Sequence, residues 1–543
     1  MSSQLRSRGA DALALVLKNA GVKRVFTLSG NHIMSIFDAL LDTEIKLVHT
    51  RHEAAAVHMA DACARLTGEP AVALVTGGPG HANAVPALYT ARMAESPVIL
   101  LSGHAPNSEL GRGAFQELPQ AEMARPVSKA AWTCGGSEQV APDLRRALRL
   151  ARAGRPGPVS LNLPSDALEG AIDLNEAPRT GVFDAAQYLD GGSAAAVLDH
   201  LTRAARPTIL VGPTLMSRPA RARLAALEDA CGVPVIGMES PRGLADPSLG
   251  AFAEMLSQAD CVLLLGKRLD FTIRFGRAPV FQSDCEFLQI DPEQTEIDRS
   301  IGAVGSRLAF AAVADIFPAV EALTEKARRN SGNRAWLSEV KAALAYRPTE
   351  WQRRQSSMPG RVHPLDLLRP LQAVLDSHAD AVFISDGGEI GQWAQACLHA
   401  PQRLTNGPAG AIGAGLPFAL GARFAVPDAP IIATMGDGTF GFHMTELDTA
   451  VTHKLPFTVI IGNDAKWNAE YQIQLREFGG NRARGCEMRQ VRYDQVASAM
   501  GAHGEFVTDA QDMCPAVARA FASGLPACIN VMIESVAAPQ IAR

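Results

Sequence analysis

The 543-residue sequence has few of the features that mark special classes of protein. Lys and Arg number 51 against 56 Asp and Glu, so the basic excess typical of a general nucleic-acid binder is missing. The chain has no run of about 18 apolar residues, and we expect no membrane span. Residues 1–21 lack the apolar core and small-residue cleavage site of a signal peptide. These absences favour a cytoplasmic protein that binds neither nucleic acid nor membrane.

The cysteines show no pattern typical of a disulfide scaffold or a metal site. Nine of them are scattered along the chain, and none forms a Cys-x-x-Cys pair. A disulfide scaffold or a zinc site is therefore not expected, and a reducing compartment fits best. Aromatic residues are also few, at 6%, whereas glycine is abundant, with 47 residues. This usage suits α/β layers in which tight turns join strands to helices.

Short apolar runs alternate with helical patterns over the whole chain, which is typical of parallel sheets covered on both faces. The length suggests about three domains. We predict three doubly wound parallel-sheet α/β domains at residues 1–175, 190–325 and 361–543, with polar linkers around 175–190 and 325–360. The predicted strands are 23–28, 46–49, 71–76, 97–103 and 154–164, then 208–212, 233–238, 261–266 and 285–291, and finally 381–386, 431–437, 457–463 and 527–533.

The sharpest local signal lies between residues 431 and 464. One predicted strand ends in Gly436-Asp437-Gly438-Thr439, a helix follows, and the next strand ends in Asn463-Asp464. A right-handed crossover makes the two strands parallel, so Asp437 and Asp464 would meet at the carboxyl edge, where open α/β sheets bind ligands. Two acidic oxygen donors beside a glycine-rich backbone suit Mg²⁺ holding a phosphate. Two unrelated turns would give the same letters, but the matched strand ends favour the site.

Two features of the first domain are weaker by themselves. Glu53 opens a helix, and an exposed N-terminal charge is the plain interpretation. The small residues Ala54–Ala56 indicate instead a packed helix start, where a carboxyl group is suited to proton transfer. The loop Gly77-Gly78-Pro79-Gly80 follows a buried strand, but it has neither the lysine of a P-loop nor a dinucleotide spacing. A simple turn is at least as good an interpretation of that loop.

In combination, these motifs resemble those of the thiamine-diphosphate (ThDP)-dependent enzymes over nearly the whole chain. The Gly-Asp-Gly and Asn-Asp pair resembles the motif for the cofactor diphosphate, and residues 51–68 resemble the helix of the cofactor-activating glutamate. The resemblance implies a pyrimidine-binding domain, a central Rossmann-like domain and a diphosphate-binding domain. The details are most similar to benzaldehyde lyase and 2-hydroxyacyl-CoA lyase, with acetohydroxyacid synthase next.

The resemblance also implies roles for single residues. Asp437, Asp464 and the carbonyl of Lys466 would bind Mg²⁺, and Glu53 would protonate the cofactor pyrimidine. His32 and Gln116 lie in segments similar to those carrying substrate-contacting residues in the lyases, although His32 could equally be an ordinary helix-start residue. The other cofactor contacts implied are Gly388, Glu389, Ile390, Gly410, Ile412 (as the apolar wedge beneath the bent cofactor), Gly438, Thr439 and Trp467.

Three departures from the family pattern bear on the activity. Asp464 replaces the usual Asn, and Glu389-Ile390 stands where acetohydroxyacid synthases carry Gln-His. Leu269–Thr272 and Ile473 stand where those synthases carry Asp-Asp-Arg and a substrate-selecting Trp. The last departure weakens the acetolactate interpretation and the case for bound FAD.

The activity implied is a ThDP- and Mg²⁺-dependent carbon–carbon lyase and carboligase. It would act on 2-hydroxy ketones or 2-hydroxyacyl-CoA thioesters through a thiazolium-bound acyl-anion intermediate. An acetolactate-synthase-like or 2-oxoacid decarboxylase activity is the alternative, and a non-catalytic ThDP- or nucleotide-binding protein is a lower one. FAD is not expected, and ADP in the central domain stays open. Because Glu53 and the metal residues meet across a dimer interface in this family, we expect a homodimer at minimum and a homotetramer as the assembly.

Overall fold

The computed structural model describes residues 7–173, 186–327 and 334–543. The chain divides into two compact units, Met1–Ala185 and Ala186–Arg543. The first unit holds one large parallel sheet and the second holds two, which confirms the predicted three-sheet α/β class. The predicted linker at 175–190 falls largely on residues outside the described ranges. No helix within those ranges is both long and apolar enough to cross a membrane.

The first unit is built on a six-stranded parallel sheet. Counting a separate two-stranded pair, the strands of the unit are β1 (Ser7–Arg8), β2 (Arg24–Thr27), β3 (Lys46–His49), β4 (Ala71–Val75), β5 (Val98–His104), β6 (Ala130–Thr133), β7 (Val159–Pro164) and β8 (Ala171–Ile172). The helices are α1 (Gly9–Asn19), α2 (Met34–Leu41), α3 (Glu53–Thr67), α4 (Pro79–Met93), α5 (Gln120–Ala124), α6 (Ser137–Arg152) and α7 (Ser165–Glu169). The sheet order is β3-β2-β4-β5-β7-β6, and β1 pairs separately with β8 in antiparallel fashion.

Burial explains which strands the sequence revealed in this unit. Strands β4 and β5 are buried along their whole length because helices cover both faces, and they read as continuous apolar runs. Strand β6 was not predicted, because it lies at the sheet edge and its residues are only half-buried. The carboxyl ends of β2, β3, β4 and β5 open on one edge of the sheet, where the first group of candidate residues lies.

The central sheet of the second unit has the order β10-β9-β11-β12-β13 and is parallel throughout. Its strands are β9 (Pro207–Val211), β10 (Val235–Gly237), β11 (Cys261–Leu265), β12 (Glu286–Asp291) and β13 (Leu308–Val313). Its helices are α8 (Gly191–Arg203), α9 (Arg218–Cys231), α10 (Phe252–Leu256), α11 (Gln294–Val304), α12 (Ile316–Lys326) and α13 (Arg334–Ala345). The four predicted strands are present, and β13 is an additional one.

Helix α13 occupies part of the segment 325–360 that the sequence predicted to be a linker. Its residues Trp336, Val340 and Ala343 are buried on one face, and the Trp336 indole donates a hydrogen bond to the Pro207 carbonyl at 2.9 Å. This linker prediction was wrong for residues 334–345, because the surrounding charged residues obscured a short apolar stripe of helical period. Residues 328–333 lie outside the described ranges.

The C-terminal sheet has the order β15-β14-β16-β17-β19-β18. Its strands are β14 (Val382–Asp386), β15 (Gln402–Thr405), β16 (Ile431–Gly436), β17 (Thr458–Asn463), β18 (His503–Val507) and β19 (Ala527–Met532). Its helices are α14 (Pro364–Asp376), α15 (Glu389–Cys397), α16 (Gly415–Ala425), α17 (Asp437–His443), α18 (Glu446–Thr452), α19 (Asn468–Phe478), α20 (Tyr493–Ala499) and α21 (Met513–Ala522). Strands β16 and β17 are parallel neighbours with Gly436 opposite Gly462, which places Asp437 and Asp464 after adjacent strand ends as predicted. The single helix predicted between them is divided into α17 and α18.

A buried ion triad joins the two sheets of the second unit. Arg403 on β15 bonds through Nε to Glu239 at 2.9 Å and through its guanidinium to Asp246 at 3.1 Å. Both carboxylates belong to the segment that follows β10 and are nearly fully buried. The triad therefore fixes the intervening residues Pro241 and Arg242 against the C-terminal domain.

Candidate functional site

Glu53 is the first residue of α3 and is only 8% exposed. Its Oε2 accepts a hydrogen bond at 3.1 Å from Nδ2 of Asn83, which lies on α4. The helix start is fixed by His52, whose Nδ1 accepts the Ala54 N–H at 3.1 Å. The carboxyl group is therefore packed and oriented, as the small residues after it suggested. Sequence reasoning missed Asn83, whose only signal is its place one turn after the Gly77–Gly80 loop.

His32 and Gln116 lie near each other in the same unit. The His32 ring lies 3.2 Å through Nδ1 from the Thr76 hydroxyl, and it stacks on Phe115 with ring centroids 6.1 Å apart. Burial, and then the charge of His104, lowers the pKa of His32, so the ring is neutral near pH 7. Gln116 has a left-handed backbone (φ 59°), and its Oε1 is buried with no hydrogen-bond partner within the described chain. A buried acceptor of this kind costs about 1–3 kcal/mol unless a bound molecule supplies a donor.

Thr76, directly after β4, lies beside both His32 and Glu53. A Cβ on Gly80 would lie 2.7 Å from Thr76 Cγ2 and 3.4 Å from Glu53 Oε1, so the two side chains flank the same glycine. A Cβ on Gly78 would lie 2.7 Å from Gln116 Cβ. The structure thus brings the three predicted residues of the first unit to one place, around the Gly77–Gly80 loop.

That loop is held by a buried network of neutral groups. The Gly78 N–H donates to Gln120 Oε1 at 2.8 Å, and Gln120 Nε2 donates to the Gly103 carbonyl at 3.0 Å. His81 donates through Nε2 to the Gln120 carbonyl at 3.0 Å and lies 2.8 Å through Nδ1 from the Ser102 hydroxyl. Burial lowers the pKa of His81 to about 4. The neutral ring satisfies both partners, because the carbonyl can only accept and the hydroxyl can donate.

In the second unit, a cavity of about 330 Å³ lies at the carboxyl edge of the C-terminal sheet. Its lining includes all the predicted diphosphate-side residues: Gly388, Glu389, Ile390, Gly410, Ile412, Asp437, Gly438, Thr439, Asp464, Lys466 and Trp467. Pro241 and Arg242 of the central domain also line it. The sequence could not reveal this pair, because another sheet supplies them through the Arg403 triad rather than through a local motif.

Asp437 and Asp464 form a buried acidic pair in this cavity, with exposures of 2% and 6%. Burial, followed by the charge of Asp464, raises the pKa of Asp437 to about 7. Burial raises the pKa of Asp464 to about 6, although the Ser535 hydroxyl and Lys466 oppose the rise. The Lys466 ammonium lies over the Tyr471 ring, 5.1 Å from its centroid. Two buried carboxylates of this kind are stabilised by a bound cation, and their oxygens are the hard ligands that Mg²⁺ prefers.

Part of the cavity wall is glycine backbone, which packs closely against its neighbours. A Cβ on Gly438 would lie 2.5 Å from the Trp467 ring, and a Cβ on Gly388 would lie 2.8 Å from Ala469 Cβ. Glycine backbone that lines a cavity after two strands is the kind of environment that phosphate groups favour. The donor set and the glycine wall together fit a diphosphate with its magnesium ion.

Three family models of the thiamine pyrophosphate enzymes match the chain. The N-terminal thiamine-pyrophosphate-binding domain matches residues 7–123, the central domain matches 194–323, and the C-terminal thiamine-pyrophosphate-binding domain matches 386–531. The chain belongs to the thiamine pyrophosphate enzymes. This membership confirms the resemblance drawn from the sequence motifs, thiamine pyrophosphate being another name for ThDP.

Relatives of two kinds, one named as an acetolactate synthase and the others as 2-hydroxyacyl-CoA lyases, are similar to almost the whole chain. The acetolactate synthase large subunit IlvG of Mycobacterium tuberculosis is 32% identical over 550 residues, covering 97% of this chain and 96% of the relative. The 2-hydroxyacyl-CoA lyase 2 of Bos taurus is 31% identical over 581 residues, and that of Homo sapiens is 30% identical over 585 residues. Each of the two alignments covers 97% of this chain and 90% of the relative. Overall identity therefore does not choose between the synthase and the lyase.

Proposed function

We propose that the chain is a ThDP- and Mg²⁺-dependent carbon–carbon lyase with carboligase capability. Its substrates would be 2-hydroxy ketones or 2-hydroxyacyl-CoA thioesters, cleaved to an aldehyde and an acyl fragment. The observation that supports this most is the grouping of Glu53, His32 and Gln116 around one loop of the first unit. A neutral imidazole beside an unpaired amide oxygen suits a substrate that carries both a hydroxyl and a carbonyl group.

Glu53 has the role of a proton donor and acceptor at the cofactor. When bound, the cofactor supplies a nucleophilic carbon and an electron sink for breaking the carbon–carbon bond. Asn83 holds Oε2 of Glu53 at 3.1 Å and so keeps the carboxyl group in one orientation. Burial at 8% exposure excludes bulk water from this carboxyl group, which makes a directed proton transfer more effective.

His32 and Gln116 have the role of handling the substrate oxygens. The neutral His32 ring can take the hydroxyl proton during cleavage and return it during ligation. The Gln116 amide can donate to a developing oxyanion, while its buried Oε1 accepts from a hydroxyl group. Both roles need the two residues at fixed positions. Stacking on Phe115 restricts the His32 ring, and close packing against Gly78 restricts Gln116.

The cavity of the second unit has the role of binding the diphosphate. Asp437, Asp464 and the Lys466 carbonyl would hold Mg²⁺, and the glycine wall at Gly388 and Gly438 would receive the phosphate oxygens. Ile412 lines the same cavity and would support the cofactor from below. We further propose a cytoplasmic homodimer at minimum and a homotetramer as the assembly, without FAD.

An acetolactate-synthase-like or 2-oxoacid decarboxylase activity is the second candidate, favoured by the mycobacterial relative. Two positions argue against it. Ile473 lies on α19, 42% exposed, where the synthases carry a substrate-selecting Trp. Asp270, in the segment where they carry Asp-Asp-Arg, is engaged with Lys267 at 3.0 Å and with the Thr272 N–H at 3.0 Å. A protein that binds ThDP without turnover is the third candidate.

A substrate panel tests the proposal. The purified protein with ThDP and Mg²⁺ is incubated separately with benzoin, a 2-hydroxyacyl-CoA, pyruvate and benzoylformate, and the products are measured by chromatography. We expect aldehyde release from benzoin or the thioester. The Glu53→Gln protein is the control for uncatalysed breakdown. Turnover of pyruvate alone would favour the second candidate, and cofactor binding without any turnover would favour the third.

A further inference from the structure

The loop of residues 410–415, which carries Ile412, is attached to the rest of the domain by two buried side chains. Asp386 Oδ2 accepts the N–H groups of Gly413 at 2.9 Å and Gly415 at 2.8 Å. The carbonyl of Gly413 lies 2.8 Å from Nδ1 of His443, which donates to it. Both backbone polar groups of Gly413 are therefore engaged by residues distant in sequence.

Close packing leaves this loop little freedom. Gly413 has φ +98°, and a Cβ there would lie 2.7 Å from Phe442 Cβ. A Cβ on Gly415 would lie 2.8 Å from Asp386 Cβ. The backbone thus passes between Asp386 and Phe442 at a distance that only glycine allows, which sets where the neighbouring Ile412 can lie.

Asp386 and His443 also connect the loop with the two other walls of the cavity. Asp386 is the last residue of β14 and directly precedes Gly387 and Gly388, which line the cavity. His443 is the last residue of α17, the helix that begins at Asp437. One set of hydrogen bonds therefore ties the wedge position to the diphosphate segment and to the metal segment.

The burial of Asp386 is costly for a residue with a purely structural role. It is 2% exposed, and burial raises its pKa to about 6, with the N–H groups of Gly415 and Gly413 opposing the rise. An apolar residue would avoid desolvating a carboxyl group, but it would leave the N–H groups of Gly413 and Gly415 without this acceptor. A carboxylate is suited here because one oxygen can hold two N–H groups of a turn at once.

We propose that Asp386 is a positioning residue of this active site, which holds the Gly413–Gly415 backbone so that Ile412 stands at a fixed height in the cofactor cavity. His443 is the second attachment of the same loop. The inference rests on the proposed function, since it takes Ile412 as the support of the bound cofactor. Loss of Asp386 would let the loop move while the metal and diphosphate groups stay in place. Activation of the cofactor should therefore suffer more than its binding.

The first test needs no cofactor. Amide hydrogen exchange is measured on the cofactor-free wild-type and Asp386→Ala proteins, and we expect faster exchange in the peptide covering residues 410–415 but not in β16 or β17. Asp386→Asn keeps an acceptor oxygen and should restore slow exchange. Unchanged exchange in the loop of Asp386→Ala would overturn the inference.

The second test separates binding from activation. ThDP is titrated in the presence of Mg²⁺ by protein fluorescence, using Trp467 in the cavity wall, and the exchange of the cofactor C2 proton is followed by NMR. For Asp386→Ala we expect the C2 exchange rate to fall roughly 100-fold, as for a misplacement of about 1 Å, while affinity falls less than about tenfold. Equal losses of affinity and rate would contradict a positioning role.

Matched variants guard both tests. Asp366 of the same domain accepts bonds from the Ser356 N–H at 2.7 Å and hydroxyl at 2.8 Å, so Asp366→Ala should lower Tm without changing the 410–415 exchange or the C2 rate. If Asp386→Ala is insoluble, His443→Leu removes the other attachment of the loop. It should raise the 410–415 amide exchange and lower the C2 exchange rate in the same way, but by smaller factors. Absence of ThDP binding by the wild type would defeat the proposed function, whereas the cofactor-free exchange test would still decide whether Asp386 holds the loop.

Discussion

The two candidate regions stand on sheets of the same topology but differ in chemistry. The first sheet runs β3-β2-β4-β5-β7-β6 and the C-terminal sheet β15-β14-β16-β17-β19-β18, which is the same order when each set is counted along the chain. The Gly77–Gly80 loop follows the third strand of the first set, and the Gly436–Thr439 segment follows the third strand of the second. The sequence indicated no clear role for the first loop. The structure shows that this loop occupies the position in its sheet that the diphosphate motif occupies in the C-terminal sheet.

The difference lies in what surrounds each loop. Around Gly77–Gly80 the partners are neutral amides, hydroxyls and imidazoles such as Gln120, Ser102 and His81. Around Gly436–Thr439 they are the acidic pair Asp437 and Asp464, with raised pKa values. One arrangement is suited to placing a proton and the other to neutralising a cation and phosphates. The shared topology thus gives both sheets a carboxyl edge at which a ligand can bind. The side chains at each edge decide which end of the cofactor that edge is suited to bind.

The largest effect should come from Glu53, whose carboxyl group flanks the neutral region. Glu53→Gln keeps the shape but removes the acid, so the C2 proton exchange of bound ThDP should fall by roughly 100-fold to 10,000-fold, with affinity little changed. The rate is measured by NMR after quenching. Glu69→Gln, an exposed residue paired with Arg152 at 2.7 Å, is the control. An unchanged C2 exchange rate in Glu53→Gln would show that the region around Gly77–Gly80 does not handle the proton, and the contrast between the two regions would fail.

The neutral network predicts a pH dependence of stability. The pKa of His81 is lowered from 6.5 to about 4, so the unfolded chain binds the extra proton and stability is lost as pH falls from about 6.5 to 4. The loss amounts to about 3 kcal/mol at most. Asp386, with a raised pKa, acts in the opposite sense over about pH 4 to 6. His81→Gln isolates the histidine: its Tm deficit relative to wild type should shrink on acidification. A constant deficit would mean that His81 is not held neutral.

The glycine wall of the acidic region predicts a smaller effect on binding. In Gly438→Ala the new Cβ would meet the Trp467 ring at 2.5 Å, and overpacking of this kind costs about 1–3 kcal/mol. ThDP affinity, measured by titration calorimetry with Mg²⁺, should therefore fall roughly tenfold to 100-fold. Gly441→Ala on the same helix is the matched control, because beyond its own helix the new Cβ would meet no atom of the described residues within 4 Å. Equal affinities for both variants would place the cofactor elsewhere.

The second carboxylate of the acidic pair predicts the smallest effect. Asp464→Asn removes one negative charge but keeps an oxygen ligand, so Mn²⁺ binding to the cofactor-free protein should weaken roughly tenfold. The affinity is measured by electron paramagnetic resonance. Glu477→Gln, exposed on α19, alters the net charge equally and should leave the affinity unchanged. A matching loss in Glu477→Gln would show that overall charge, rather than the pair, governs metal binding.

The strands that the sequence missed share one physical property. Strands β6, β13, β15 and β18 lie at the edges of the large sheets, and β1 and β8, which were also missed, pair only with each other. An edge strand has a neighbour on one side only, and β6, β13 and β18 are largely half-buried or exposed. Strands β6 and β18 lack the long apolar run by which the interior strands were found, whereas β13 is apolar along its whole length and was overlooked. Helix α13 was missed for a related reason, since only a stripe of it is buried.

The sequence by itself determined the residues whose place depends on local geometry. Asp437 and Asp464 each follow a buried strand directly, and Glu53 begins a helix separated by three residues from a short strand, so strand order alone brings them to a sheet edge. Tertiary structure alone decided the contacts between distant segments: Asn83 on Glu53, Asp386 on the loop of Ile412, and Arg242 at the cavity wall. No spacing along the chain encodes those contacts, because they depend on how separate helices, loops and sheets pack against each other.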